Sequence, residues 1–273
     1  MINDFGIYLT NTRGYSANTV AAYVADVRAF AQWAKDNIKD ARWSKINRDD
    51  IDHYMSYLIQ QGRKASTINR TLSSISAFYR FLNRSGYDVE NPCKYESRLI
   101  QEQTTPNIIQ EDELREAYEA STGVVRIILG VLSNTGIRLG ELLAITWADI
   151  DWQPHAILIH GKGRKQRKVF LYGEEYTTLY DYWAANKPTG EVFQFSPRKV
   201  RHMIYDALKP YCHALRISPH AIRHTYATAL ASDGVNVSCI ANILGHSSLK
   251  ASQRYIDGAA LHVMDIQKAK FIV

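Results

Sequence analysis

Cysteine is scarce in these 273 residues: Cys93, Cys212 and Cys239 form no C-x-x-C pair and leave an odd total. That argues against a disulfide framework and for a reducing compartment, the cytoplasm or nucleoid. Long apolar runs are lacking too. The greasiest stretch, residues 123–132, is short and interrupted by Arg126. The N-terminal Met-Ile-Asn-Asp-Phe-Gly has neither a basic nor an apolar leader segment. Neither a membrane span nor an export signal is therefore expected. No internal repeat, low-complexity tract or heptad run is visible. What is present suffices for folding: 46% hydrophobic residues, 11% of all residues aromatic, and length for two ordinary domains. Net charge is only +6, with a pI about 9.1, so a nucleic-acid partner has to be argued from where the cations lie.

They lie in islands. Thr135-Gly136-Ile137-Arg138-Leu139-Gly140-Glu141 is the first, Gly161-Lys162-Gly163-Arg164-Lys165 the second, and a block from His220 to Tyr255 the third. Arg138 and Lys162 are 24 positions apart, His220 and Arg223 are 3, Arg223 and His246 are 23, and His246 and Tyr255 are 9. These residue types suit the breaking and rejoining of a phosphodiester. In-line attack spreads negative charge over the non-bridging oxygens, and two guanidinium groups, Arg138 and Arg223, can grip them in a planar, bidentate way at any working pH. A tyrosine hydroxyl is a poor nucleophile until neighbouring cations or a base ease its ionisation. Tyr255, with His220, His246 and the arginines, fits that need. The departing 5′ oxygen requires a proton, and the ammonium of Lys162 on a Gly-Lys-Gly turn is the candidate acid, with Lys165 and Lys168 as competitors. No Asp/Glu cluster accompanies the islands, so neither a metal site nor any other cofactor is expected.

Five cations fall within residues 162–168, namely Lys162, Arg164, Lys165, Arg167 and Lys168, and Arg198, Lys199 and Arg201 form a second knot. Such a run alone is more often a solvated face; its register with Arg138 turns it toward phosphate contact. Glu141 suits a supporting role beside an active-site group. His224 and Tyr226 read as buried structural residues.

The spacing of Arg138, Lys162, His220, Arg223, His246 and Tyr255 resembles the tyrosine recombinase (phage integrase) family in its compact Xer-type form. The resemblance implies an N-terminal helical, SAM-like core-binding domain that clamps DNA, and a C-terminal α+β catalytic domain. It also implies strand cleavage through a 3′-phosphotyrosyl intermediate without ATP, on double-stranded DNA, in a tetrameric synaptic complex that can include an accessory or heteromeric recombinase. The outcome would be integration, excision or resolution. Two alternatives stay open: a type IB topoisomerase using much the same residues, and a catalytically silent DNA-binding protein.

Periodicity supports a mainly α chain with a small β-sheet. Amphipathic helices are expected after a Ser16 or Asn18 cap, from near Asn47 to Gly62, and from Ser66 to Gly86, with a short helix over residues 4–9 before them. The helical clamp is placed at residues 1–97, a polar linker at 98–108, and the catalytic domain at 109–273. There, helices are expected at 111–119, 123–132 and from Gly140, a hairpin at 155–160 and 168–172, and a helix capped by Ser218-Pro219 that carries His220 and Arg223 one turn apart. A further helix precedes Gly245. The last residues, Leu261 to Val273, are apolar for a chain end and need a cover, in cis or on a neighbouring protomer.

Overall fold

The computed structural model describes residues 1–94, 98–99, 107–161, 166–186, 188–214, 216–245 and 252–253. The chain divides into two compact units, residues 1–103 and 104–273. Most of the linker expected at 98–108, and all of the tail from residue 254, lie outside the described residues.

The first unit has four helices among the described residues: α1 (Ile2–Asn11), α2 (Ala17–Asn37), α3 (Arg48–Gln60) and α4 (Ala65–Arg84). Local chemistry sets their starts. The Ser16 hydroxyl accepts from Thr19 N at the head of α2, and Asn47 and Asp50 exchange hydrogen bonds with each other's backbone at the head of α3, satisfying donors that a helix start leaves orphaned. Helix α4 starts earlier than its Ser66 signal, with Lys64 at the N-cap. Inside, Phe5, Leu9, Val27, Phe30, Ile51, Ile68, Ile75, Phe78 and Leu82 are buried. Phe5 meets Phe78 edge-on at 5.2 Å, and Phe30 lies 4.9 Å from Tyr54. One buried polar residue joins α2 to α4: Asp26 accepts both Nε and Nη2 of Arg70 and the Ser74 hydroxyl. Three donors on one carboxylate offset the cost of burying it.

The second unit is built on α6 (Gly123–Thr135), which packs against α5 (Glu111–Ala120), α8 (Gly173–Asn186), α9 (Pro197–Leu208) and α10 (Pro219–Ser232). A short α7 (Leu139–Leu143) follows α6, and α11 (Val237–Leu244) packs on α10. Between α7 and α8 lies an antiparallel sheet of β1 (Ile150–Asp151), β2 (Ala156–His160) and β3 (Gln166–Phe170), in that spatial order. Ile157, Ile159 and Val169 turn into the same core as Ile128, Leu132, Leu142, Ile204 and Ile222. Strand β3 begins two residues before its expected start, because the inward position opposite Ile159 is filled by Arg167, which finds a partner inside. No expectation covers α8, although Glu174 and Glu175 fall in its first turn and Tyr176, Leu179, Tyr180 and Trp183 recur at helical spacing. Its run of Tyr176, Thr177, Thr178, Tyr180 and Tyr182 is poor in strong helix formers, and packing supplies what propensity does not: Tyr176 donates to the Trp152 carbonyl and Tyr180 meets the Trp152 ring edge-on. Among the described residues no helix is long and apolar enough to cross a membrane.

Candidate active site

Gly136 ends α6 in a left-handed turn, φ +60°. A Cβ there would stand 2.4 Å from a ring carbon of Tyr226 and 2.9 Å from a methyl of Leu244, so both the conformation and the space call for glycine. The turn delivers Arg138 to the N-cap of α7. Three residues on, the Glu141 carboxylate accepts the Arg138 backbone N–H at 2.9 Å and its Nη1 at 2.8 Å. The Thr-Gly-Ile-Arg-x-x-Glu stretch is therefore a helix start whose capping acid also orients its first arginine.

Helix α10 brings the second arginine. The Ser218 hydroxyl accepts from Ala221 N and Pro219 occupies the first turn, placing His220 at the exposed end and Arg223 one turn inward. Arg223 is 2% exposed. Its Nη1 donates to the Gly136 carbonyl at 2.5 Å and its Nη2 to that of Leu244 at 2.7 Å. The His220 ring meets the buried His224 edge-on at 4.2 Å. Tyr226 is partly buried against Ala227, Ile240 and Leu244, and burial raises its hydroxyl pKa.

A third arginine completes the arrangement. Arg167 places Nη2 2.8 Å from Glu141 Oε2, Nη1 3.2 Å from Oε1, and Nε 2.8 Å from the Ile243 carbonyl. Arg138 donates to the Gly245 carbonyl at 3.1 Å and, more weakly, to that of Leu244 at 3.5 Å. Three guanidinium groups thus converge on the last carbonyls of α11, the negative end of a helix dipole whose C=O groups lack helical partners. That end sits directly before His246 in sequence. The two arginines read from sequence as phosphate grips differ in exposure: the Arg138 side chain is 45% exposed, and Arg223 is buried. Arg167, grouped from sequence with the DNA-facing cations, is 14% exposed and engaged with Glu141.

Burial pushes the Glu141 carboxyl pKa up, but hydrogen bonds from Arg167 and Arg138, with the charge of Arg167, outweigh it and hold the pKa at about 2. A carboxylate depressed in the folded state stabilises the fold above its ordinary pKa near 4.5 and loses that contribution as pH falls toward the folded value. Thermal melts should therefore show roughly 3 kcal/mol of stability disappearing over that acid range from this group. Glu141→Gln should start lower at neutral pH and fall less steeply; an unchanged acid limb in the variant would contradict the assignment.

Lys162, Arg164, Lys165, His246 and Tyr255 lie outside the described residues. What flanks them is described: His160 pairs with Gln166 where β2 and β3 come together, and Ser252 is fully buried. Lys168 is exposed, 3.9 Å from Asp151. Arg198, Lys199 and Arg201 stand exposed on the first turns of α9, lining an open cleft with Ser196, His202 and Tyr205. From sequence, Arg167 is hidden within a basic run. Its one distinguishing signal is phase, since it shares the inward side of β3 with Val169.

Two family models match this chain: "Phage integrase family" over residues 103–262 and "Phage integrase, N-terminal SAM-like domain" over residues 2–86. Among curated relatives, a tyrosine recombinase XerC of Pediococcus pentosaceus is 30% identical over 282 residues, covering 93% of this chain and 92% of the relative. A tyrosine recombinase XerC of Anoxybacillus flavithermus is 31% identical over 276 residues, covering 93% and 91%. Among solved structures, the XerH site-specific recombinase bound to a palindromic difH substrate superposes with a TM-score of 0.78 at 16% identity, over 98% of this chain and 84% of that one.

Proposed function

The chain belongs to the phage integrase family, and we infer that it is a tyrosine site-specific recombinase, cleaving and rejoining double-stranded DNA through a 3′-phosphotyrosyl intermediate. The observation that carries the chemistry is the meeting of Arg138 and Arg223, from islands far apart in sequence, at the one Leu244 carbonyl. Two guanidinium groups sharing an acceptor at the end of α11 concentrate positive charge beside Leu244 and Gly245, which His246 follows in sequence. Arg138 offers the exposed grip on a scissile phosphate. Arg223 supplies charge from beneath it, where low dielectric strengthens the attraction.

In the proposed reaction the Tyr255 oxygen attacks phosphorus, forming the Tyr–O–P bond as the P–O5′ bond breaks. The phenol proton passes to a neighbouring base; His220, exposed at the first turn of α10, is the candidate among the described residues. The leaving 5′ oxygen takes its proton from Lys162. The free 5′ hydroxyl then attacks the phosphotyrosine in the reverse sense, so the covalent bond conserves the energy for ligation and no ATP is required. We propose that His246 assists at the same phosphate and that metal takes no part. The exposed cations Arg198, Lys199 and Arg201 on α9, with Lys168 and the undescribed Arg164 and Lys165, are proposed to contact the DNA backbone, where cations supply most of the affinity. Strand exchange would occur in a tetramer on two DNA sites in the cytoplasm, with or without a second recombinase. A type IB topoisomerase is not favoured, since the curated relatives are recombinases along nearly the whole chain.

The test is a nicked suicide duplex carrying the cognate site, incubated with the protein in excess EDTA. A protein–DNA adduct that survives denaturation is expected at undiminished yield. Adduct formation that vanishes in EDTA and returns with Mg²⁺ but not with a polyamine would overturn the metal-free reading.

A further inference from the structure

Arg167 sits opposite Ile159 in the sheet, with Gln166 and Lys168 turned outward on either side of it. Its partners are all parts of the site. Both of its terminal nitrogens reach Glu141, whose two oxygens also hold the backbone N–H and Nη1 of Arg138. The Glu141 carboxylate is thereby clamped from two sides, and only one orientation serves all four donors. The Arg167 Nε adds the Ile243 carbonyl, one residue before the carbonyl that Arg138 and Arg223 share. The guanidinium also lies against Gly245, whose φ of +65° favours glycine: a Cβ there would stand 2.7 Å from Arg167 Nη1.

We propose that Arg167 is a positioning residue: it fixes Glu141, and through Glu141 the side chain of Arg138, against the end of α11, so that Arg138 presents its guanidinium to the phosphate already oriented. The proposal rests on the recombinase reading above. Arginine is required because the geometry uses a planar fork on a carboxylate plus a third in-plane donor, which an ammonium cannot reproduce. The competing role, a backbone contact of the kind its basic neighbours suggest, calls for an exposed cation. At 14% exposure, with three hydrogen bonds to its own protein, Arg167 is not placed for one.

The experiment compares full-length wild type, Arg167→Gln, Arg167→Lys, Arg138→Ala, Glu141→Gln and the Glu141→Gln, Arg167→Gln double variant. DNA affinity over a range of salt, thermal melting, and single-turnover cleavage at saturating DNA are measured, the last on an ordinary phosphate and on a scissile methylphosphonate. The methylphosphonate lacks one of the anionic oxygens that the grip neutralises. Both Arg167 variants should cleave the phosphate about 10- to 100-fold more slowly. Their affinity should stay within about threefold of wild type, and the salt dependence should not change. On the methylphosphonate the deficit should shrink, as it should for Arg138→Ala, because a mis-set grip matters less where less charge develops. Glu141→Gln combined with Arg167→Gln should be no slower than the slower single variant, as expected for groups acting as one unit. Any of three results would overturn the proposal: wild-type cleavage in Arg167→Lys; a salt slope lower by about one with cleavage unchanged, the mark of a phosphate contact; or a deficit that tracks a lost melting transition and is equal on both substrates. A wild-type chain that forms no adduct fails the recombinase reading itself; normal adduct formation insensitive to Arg167 fails only this inference.

Discussion

Replacing Tyr255 by Phe should abolish covalent attachment to DNA, lowering cleavage by a factor on the order of 10⁴ or more, the scale seen when an enzyme loses its nucleophile. Only the hydroxyl oxygen is removed, while Arg138, Arg223 and the α9 cations keep their positions, so binding to a single site should stay within a few-fold of wild type. A denaturing gel with the nicked duplex reads the first quantity and a mobility shift the second. Tyr226 is the tyrosine to suspect if an adduct persists. The structure gives a reason against it: its ring packs on the Gly136 turn and against Ala227, Ile240 and Leu244, and burial makes its hydroxyl harder to ionise.

Arg223→Ala should cost both catalysis and stability. Cleavage should fall by about 10² to 10³ or more, the range for losing one preorganised donor at a developing anion. The Gly136 carbonyl would lose that donor inside the protein, at about 1–3 kcal/mol if left unsatisfied, and the Leu244 carbonyl would keep only the weaker contact from Arg138. Arg223→Lys separates the two losses. It keeps a buried cation but reaches one carbonyl at a time, so it should recover part of the melting temperature and little of the cleavage rate. Full recovery of cleavage by lysine would make Arg223 a point charge and remove the case for a planar grip.

The parts of this fold written in local chemistry were legible in the sequence. Ser16, Asn47 and Ser218-Pro219 announced helix starts because a capping oxygen and a first-turn proline act within a few residues. The pairing of the Arg138 and His220–Arg223 islands was legible only through their resemblance to a known spacing. Its physical cause, the shared Leu244 carbonyl, is a contact between α7 and α10 through α11 that no local pattern encodes. Helix α8 has no counterpart among the expected elements, although Tyr176, Leu179, Tyr180 and Trp183 recur at helical spacing; its run of tyrosines and threonines is weak in propensity and is held by Trp152 and α6. The start of β3 was misplaced because an inward arginine reads as a surface cation until its carboxylate partner, 26 positions earlier, is known. The same long-range pair set Arg167 apart from the basic run around it.

The most direct measurement is the chemistry of the covalent joint itself. Wild-type protein trapped on a nicked duplex, digested and sequenced as peptide and as DNA, should give one modified peptide, with the DNA 3′ phosphate on Tyr255 and a free hydroxyl on the opposing 5′ end. A 5′-linked adduct, or attachment at any residue other than Tyr255, would contradict the assignment of the reaction and of the site that performs it.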